Sequence, residues 1–291
     1  MTTSAPMSAV YVTLTNLWGG QGVSLECHPQ LNVFYGENGC GKSTVLRAIA
    51  NDDLLDDQGS GVVLPIVVYD SARPAAFEFD PTAFYFLNEL TTQLVVNAVE
   101  PFFPLQNDCL QQLGGGERRI LAFFCSIAKR LNALFPTRES LRKNEGEGVV
   151  IIDDVDKHLH PKWQKKIVPR LLEVFPNCQF FISTHSPLVL NHVKPECLFH
   201  LHWTDNRDII VEKSNESYGQ TAERILEDLM GLDTTRPDDV SRAFRELFLT
   251  IDAEDFDKAR RQIAELRAMV GADPDLVRAN VLLRFMETSG E

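Results

Sequence analysis

The 291-residue chain reads as an α/β domain with a mixed, mainly parallel sheet, continued by a region of helices alone. Three observations carry that reading. Short, wholly apolar runs such as Val149–Ile152 and Phe180–Ile182 alternate with stretches of helical spacing, as buried parallel strands alternate with the helices that cover them. The run Leu31–Tyr35 passes directly into a glycine-rich turn, and a helical pattern follows at once. Beyond about Asn215 only helical patterns remain.

In chain order, alternating apolar residues at Val10, Val12 and Leu14 and at Leu31, Val33 and Tyr35 predict two strands separated by the Gly19-Gly20-Gln21-Gly22 turn. A helix begins near Lys42, since Val45, Leu46, Ala48 and Ile49 recur at helical spacing, and the polar, glycine-bearing stretch Asn51–Gly61 ends it. Val62–Tyr69 is strand-like, whereas the mixed composition from there to Asp108 defines no element. Ile120, Leu121, Phe124, Ile127, Ala128 and Leu131 place a helix over 117–134, and Pro161 suits the first turn of another. Cys197–Trp203 and Ile209–Glu212, joined by Asp205-Asn206-Arg207-Asp208, predict a closing hairpin. In the tail Phe256, Ala259, Ile263, Leu266 and Val270 share a helix face. Gly271 stops that helix and Asp273-Pro274 starts the next, giving an α-helical hairpin. The organisation is therefore residues 1–213 as the α/β domain and 214–291 as a helical C-terminal region for partner or dimer contacts.

Composition narrows the function classes. With 44% hydrophobic and 24% charged residues the chain can bury a core, which excludes a disordered or fibrous protein. A net charge of -13, from 28 Lys and Arg against 41 Asp and Glu, repels polyanions, so DNA is met only indirectly, through a local patch or a partner. The six cysteines lack a C-x-x-C pair and sit mostly among apolar neighbours, as reduced cytosolic thiols do. No basic segment leads an apolar run at the amino terminus, and no stretch approaches the roughly 20 apolar residues that span a bilayer. A cytoplasmic protein without membrane contact is expected.

The chemistry concentrates in three stretches. Gly36-Glu37-Asn38-Gly39-Cys40-Gly41-Lys42-Ser43-Thr44 fits G-x-x-x-x-G-K-[ST] between a strand and a helix, the context this phosphate-binding loop requires. Its glycines let backbone N–H groups turn toward a phosphate, Lys42 neutralises the β and γ phosphates, and Ser43 ligates magnesium. Asp153 and Asp154 follow the apolar run 149–152, at the strand end where open α/β sheets bind ligands. Asp153 would hold the metal and Asp154 polarise an attacking water. Leu113-Gly114-Gly115-Gly116-Glu117 opens a helix, and glycines there present N–H groups to a second phosphate contact. Other features have plainer readings. His158 with His160, and His200 with His202, lack the further ligands of a zinc site. Cys40 is an inert loop position, and the Asp255-x-Asp257 and Asp273-x-Asp275 pairs cap helices. Trp18 and His28 are candidates for an adenine contact.

Phosphate loop, glycine-led helix, acid-ended strand, then Ser183-Thr184-His185-Ser186-Pro187 is an order that resembles the ATP-binding-cassette class of P-loop ATPases. Leu113–Glu117 resembles the signature of that class, Asp153-Asp154 its second acidic motif and His185 its switch histidine. His158-Leu159-His160-Pro161 and Thr184-His185-Ser186-Pro187 resemble the overcoming-lysogenization-defect-like branch. Leu64–Tyr69 with Arg73, Tyr218-Gly219-Gln220 with Arg224-Ile225-Leu226, and Asp275–Ala279 resemble a subgroup that includes the ATPase component of the Septu anti-phage system and of some retrons.

That resemblance implies an ABC-type ATPase head of the AAA family that binds and hydrolyses ATP with Mg2+. It implies a homodimer or higher homo-oligomer closed around nucleotide, in which Gly115, Gly116 and Glu117 of one copy complete the site of the other. It further implies control of a separately encoded effector, an HNH-type nuclease. Two residues depart from the pattern. Asp154 replaces the usual glutamate and is one methylene shorter, a misplacement on the order of 1 Å that slows hydrolysis. Gly114 replaces the usual serine and removes a hydroxyl contact of about 1 kcal/mol. These departures motivate the alternative of a nucleotide-gated binding module with little turnover. A self-contained nuclease is not expected from the mostly helical stretch after His185, nor a transporter ATPase from the short span between Lys42 and Leu113.

Overall fold

A computed structural model of the chain describes residues 11–14, 23–51, 66–69, 89–105, 112–134, 148–204, 209–214 and 216–289. The chain divides into two compact units, Met1–Ile225 and Leu226–Glu291.

The first unit is built on a six-stranded sheet of order β4-β5-β6-β3-β7-β8. Its strands are β3 (Leu31–Gly36), β4 (Ile66–Tyr69), β5 (Gly148–Ile152), β6 (Cys178–Ser183), β7 (Leu198–Trp203) and β8 (Ile209–Lys213). All pairings are parallel except β7 with β8. The strands β3, β5 and β6 are mostly apolar on both faces because both are covered, with Asn32 and Gln179 as buried polar residues. Every residue of β3, β5 and β6 is buried. Phe34 stacks on Phe199 at 5.3 Å inside this core.

The amino-terminal segment departs from the expected pair of strands. β1 (Tyr11–Leu14) pairs antiparallel with β2 (Val23–Glu26), and β3 belongs to the large sheet. Four residues, Val23-Ser24-Leu25-Glu26, are too short for a two-residue period to stand out. The turn residues Gly19–Gln21 and Gly22, together with Trp18, lie outside the described residues, as do Leu64, Pro65, Arg73 and the hairpin residues 205–208.

Helix α1 (Lys42–Asn51) follows β3, α2 (Glu89–Val99) lies in the stretch where composition defined no element, α3 spans Gly115–Leu134 and α4 spans Pro161–Val174. α2 is held from α4. Arg170 donates to Ala98 O at 3.1 Å and Asn97 O at 2.5 Å, and Lys166 to Pro101 O at 3.0 Å, so two cations satisfy carbonyls at a helix C-terminus. Pro161 is the first residue of α4, and His160 Nδ1 caps it by accepting from the Lys162 amide. Residues 217–225 are tied to this unit: Ser217 Oγ donates to Val193 O at 2.7 Å, Gly219 N to Asn191 O at 3.0 Å, and Ile225 is fully buried.

The second unit holds three long helices where the sequence pattern marked a hairpin: α5 (Asp238–Asp252), α6 (Phe256–Val270) and α7 (Pro274–Ser289). Phe244, Leu247 and Ile251 of α5 share a core with Ala259, Ile263 and Leu266 of α6 and Leu276, Ala279 and Leu283 of α7. Asp255 caps α6 through the Lys258 amide, and Gly271 ends it at φ 75°.

Candidate active site

The parallel order β5-β6-β3 sets three strand ends side by side, and each delivers part of one site. From β3 the chain enters the turn 36–41 and then α1. Gly36 takes φ 144° against β7, where a Cβ would lie 2.1 Å from Leu201 O, so glycine alone lets the turn leave the sheet there. Gly39 and Gly41 also have positive φ, at 80° and 95°. Lys42 is buried, and its Nζ donates to Glu37 O at 2.8 Å and Gly36 O at 3.0 Å, with Cys40 Sγ 3.6 Å away. The ammonium is thus already folded into the curve of the loop. Cys40 is fully buried beneath it. Asn38 and Gly39 are exposed at the rim, and Ser43 and Thr44 are half-buried in the first turn of α1.

Strand β5 delivers Asp153 and Asp154, and β6 delivers Ser183, Thr184 and His185. Asp153 is buried, and its Oδ1 accepts from Ser183 Oγ at 2.5 Å. The same Ser183 oxygen accepts from the Asp154 amide at 2.8 Å. One hydroxyl therefore fixes both acids. Asp154 adopts φ 51°, a left-handed conformation costing about 1–2 kcal/mol, and the turn it makes is closed by Lys157 N donating to Asp154 O at 3.0 Å. Asp156 returns to β6, accepting from Thr184 Oγ1 at 2.5 Å and from the His185 amide at 3.2 Å. Ser186 Oγ donates to Gln164 of α4 at 2.7 Å. Ser183 stands in the stretch before His185 that the sequence marked, but its bonds to both acids, and the roles of Asp156 and Gln164, appear only when β5, β6 and α4 come together.

His185 Nε2 lies 4.0 Å from Asp154 Oδ1. Burial, with Asp153 alongside, pushes the Asp154 carboxyl above its ordinary value. Burial and then the Lys42 ammonium push His185 below the usual histidine value. Their mutual attraction is outweighed by desolvation, and the separation is too long for a hydrogen bond, so the contact is between a neutral imidazole and a carboxylate of raised basicity. His28 Nδ1 accepts from the amides of Gln30 and Leu31, which occupies it at the start of β3.

The glycine-led start of α3 lies against the loop that leaves Asp154. A Cβ at Gly116 would come 2.7 Å from His158 O and 3.1 Å from the Trp163 ring. Gly114 and Gly115 are exposed, and Glu117 turns back so that its Oε2 accepts from the Gly114 amide at 2.7 Å, one half of a capping box. Arg119, a buried residue of the next turn, donates through Nη2 to Asp154 O at 2.5 Å and Asp153 O at 3.3 Å. His158, at φ 64°, and His160 shape this loop, while His200 stacks on Tyr35 at 4.8 Å and lies 5.1 Å from His202. Among the described residues no helix is long and apolar enough to cross a membrane.

Residues 105–191, which include the glycine-led helix, both acids and His185, match the family described as "AAA domain, putative AbiEii toxin, Type IV TA system". Over 114 residues the chain is 41% identical to the retron Vc95 probable ATPase of Vibrio cholerae serotype O1 biovar El Tor, covering 39% of this chain and 22% of that one. Over 152 residues it is 30% identical to the Septu protein PtuA of Bacillus thuringiensis, covering 51% and 38%. The matched stretches thus span less than half the length of these curated relatives. Among solved structures, the SMC head bound to the C-winged helix domain of ScpA aligns with 66% of this chain and 93% of its own at TM-score 0.45 and 11% identity. A nucleotide-free ATP-binding cassette from an ABC transporter aligns with 72% and 90% at TM-score 0.43 and 15% identity. Residues 105–191 are thus similar to an AAA-domain family, and the chain is similar to Septu PtuA and the retron probable ATPases.

Proposed function

We propose that the chain binds and hydrolyses ATP with Mg2+, closes with a second copy around the nucleotide, and so times a separate effector, an HNH-type nuclease in anti-phage defence. The observation that carries the ATPase reading is the meeting of the Lys42 loop, Asp153, Asp154 and His185 at three adjacent strand ends. The residues fit a nucleotide phosphate and its cation. The loop of positive-φ glycines has no side chain on its rim at Gly39, and the buried ammonium of Lys42 is held by carbonyl oxygens that mark where anionic oxygens are accepted. Ser43 and Asp153 would hold the cation, which supplies charge neutralisation on the terminal phosphates when bound. Such an ion completes its shell with water and phosphate, so it needs no dedicated protein cage.

In this reading Lys42 balances phosphate charge, and Asp154 accepts a proton from the attacking water. Its raised pKa makes it a better base, and His185, whose value is lowered by burial and Lys42, can act through a hydrogen bond from its neutral ring. The shorter aspartate keeps turnover slow. Gly115, exposed at the start of α3, would meet a phosphate carried by a second copy together with Gly116 and Glu117, whose carboxylate holds the Gly114 amide. The α/β domain is thus the ATPase, and the C-terminal helices serve partner or dimer contacts. The net charge of -13 favours DNA reached through the partner.

The test pairs ATP affinity with steady-state hydrolysis for the wild type and Asp154→Glu, with the mass of the species measured with and without ATP. Binding, slow turnover and faster turnover in Asp154→Glu support the proposal. Tight binding without turnover in either protein replaces it with a nucleotide-gated scaffold, a reading favoured by Asp154 and Gly114. Assembly with the nuclease that ignores ATP removes the timing role.

A further inference from the structure

We infer that Arg119 is a positioning residue that couples the glycine-led start of α3 to the catalytic acid of the same chain. The inference deepens the ATPase reading and rests on it. Two points of contact join α3 to the segment that follows β5, and they bracket it. Arg119 Nη2 bonds the carbonyls of Asp154 and Asp153 at its beginning. Gly116 abuts His158 O near its end, so closely that any side chain would collide. Residues three apart share one face of a helix, so both contacts come from a single edge of α3.

The segment held in this way has unusual backbone. Asp154 and His158 are two of three non-glycine residues with positive φ among the described residues, and both are the ones α3 touches. Such conformations persist only where surroundings over-determine them. Asp154 O already accepts from the Lys157 amide, and Arg119 supplies its second donor. A guanidinium placed there does more than fill an acceptor. It fixes the peptide on the carboxyl side of Asp154, while Ser183 Oγ fixes the amide on its other side, so the direction of the Asp154 side chain is set from both ends. Ser183 belongs to the sheet and stays. Arg119 belongs to the helix whose first residues, Gly114 and Gly115, are exposed. Arg119 therefore ties the helix that begins at those glycines to the backbone that aims Asp154.

The test uses the full-length chain with Arg119→Met, Arg119→Lys and Gly116→Ala. Two readouts are taken: kcat against KM for MgATP, and amide hydrogen exchange over residues 153–159 without nucleotide. For Arg119→Met the expected result is a roughly 10–100-fold loss in kcat, since small misplacements of a reacting group are costly, with KM little changed. Exchange at Lys157 and Leu159, whose amides bond Asp154 O and Asp156 O, should rise roughly tenfold while the rest of the sheet keeps its protection. Arg119→Lys, which keeps a charged donor, should recover part of both. Gly116→Ala should repeat the exchange pattern from the other contact.

Unchanged exchange over 153–159 in Arg119→Met overturns the inference whatever the kinetics show. A fall in kcat that Arg119→Lys fails to soften, together with exchange raised throughout the first unit, also overturns it, because the residue is then only a packing element. If the wild type hydrolyses no ATP, the ATPase reading fails, while selective exchange in Arg119→Met still establishes the clamp on Asp154.

Discussion

Two pairs of aspartates in this chain stand in opposite electrostatic company. Asp153 and Asp154 lie at a buried strand end, where burial and then the neighbouring Asp153 push the Asp154 carboxyl up. Asp273 and Asp275, at the start of α7, share Arg236, which donates to Asp273 at 2.8 and 3.1 Å and to Asp275 at 2.8 Å while its guanidinium lies 4.4 Å over the Phe244 ring. Hydrogen bonds from Arg236 hold Asp273 below the usual carboxylate range. Both pairs sit at local starts and turns of the chain. The difference is what each is satisfied by. The first pair is fixed by a hydroxyl and by backbone bonds, and Asp154 is held where burial outweighs the pull of nearby cations, a condition useful for chemistry and costly for stability. The second is neutralised by a cation and is structural.

The comparison can be broken first at Asp154. Asp154→Asn should lower ATP turnover by roughly 10²–10⁴-fold, the range for loss of a general base. The same change should raise the thermal midpoint at pH 7 by about 1–3 °C, since an amide carries no desolvated charge there. Loss of turnover with a lowered midpoint would mean that the carboxylate holds the site together. Lys42→Ala ranks next, with ATP affinity falling roughly 100-fold in equilibrium binding as a charge-assisted phosphate contact is removed. Arg236→Ala should cost the C-terminal unit about 1–2 kcal/mol in denaturant unfolding, from a cap left without its cation and a lost cation–π contact. ATP binding should not change with it.

A smaller effect separates the two regions by pH. His185 is pushed below its ordinary value, so its neutral form stabilises the fold at high pH. That contribution fades as pH falls from about 6.5 through the folded value. Asp273, held low, contributes stability above its unfolded pKa of about 3.9 and loses it only as pH falls through its still lower folded value. His185→Gln should therefore become progressively more stable relative to the wild type between pH 7 and pH 5. Arg236→Ala should stay equally deficient across that interval. A constant difference for His185→Gln would show that the imidazole is not desolvated.

Much of this was legible in the sequence because the decisive patterns are local. The apolar runs ending in Gly36, in Asp153 and in Ser183 announce buried parallel strands, and the glycines before Lys42 announce the turn that follows. The caps at Asp255 and Asp273 are equally local, since capping needs only a few consecutive residues. What escaped depends on contacts distant in sequence or on weak periodicity. α2 shows only a narrow polar stripe, Glu89, Gln93 and Asn97, beside threonines and apolar residues, and it packs against α3. β2 is four residues long. Ser183, Asp156 and Arg119 acquire their roles only when β5, β6 and α3 come together, and a serine, an aspartate or an arginine gives no sign of that alone. The third helix of the tail was obscured because α5 follows a stretch of turns rather than a clear cap.

The register of the central strands has a consequence in time. Leu31 of β3 pairs with Phe180 of β6, while Gly148 of β5 pairs with the nearby Cys178. Contacts between residues close in the chain close first, and parallel pairings across a long loop come later. During synthesis the two acids and Ser183 are therefore assembled before the Lys42 loop, made long before them, finds its place beside them. A nascent chain that stops short of β6 holds the Lys42 loop and both acids but lacks the strand that joins them, so nucleotide capture reports that β6 has taken its place between β5 and β3.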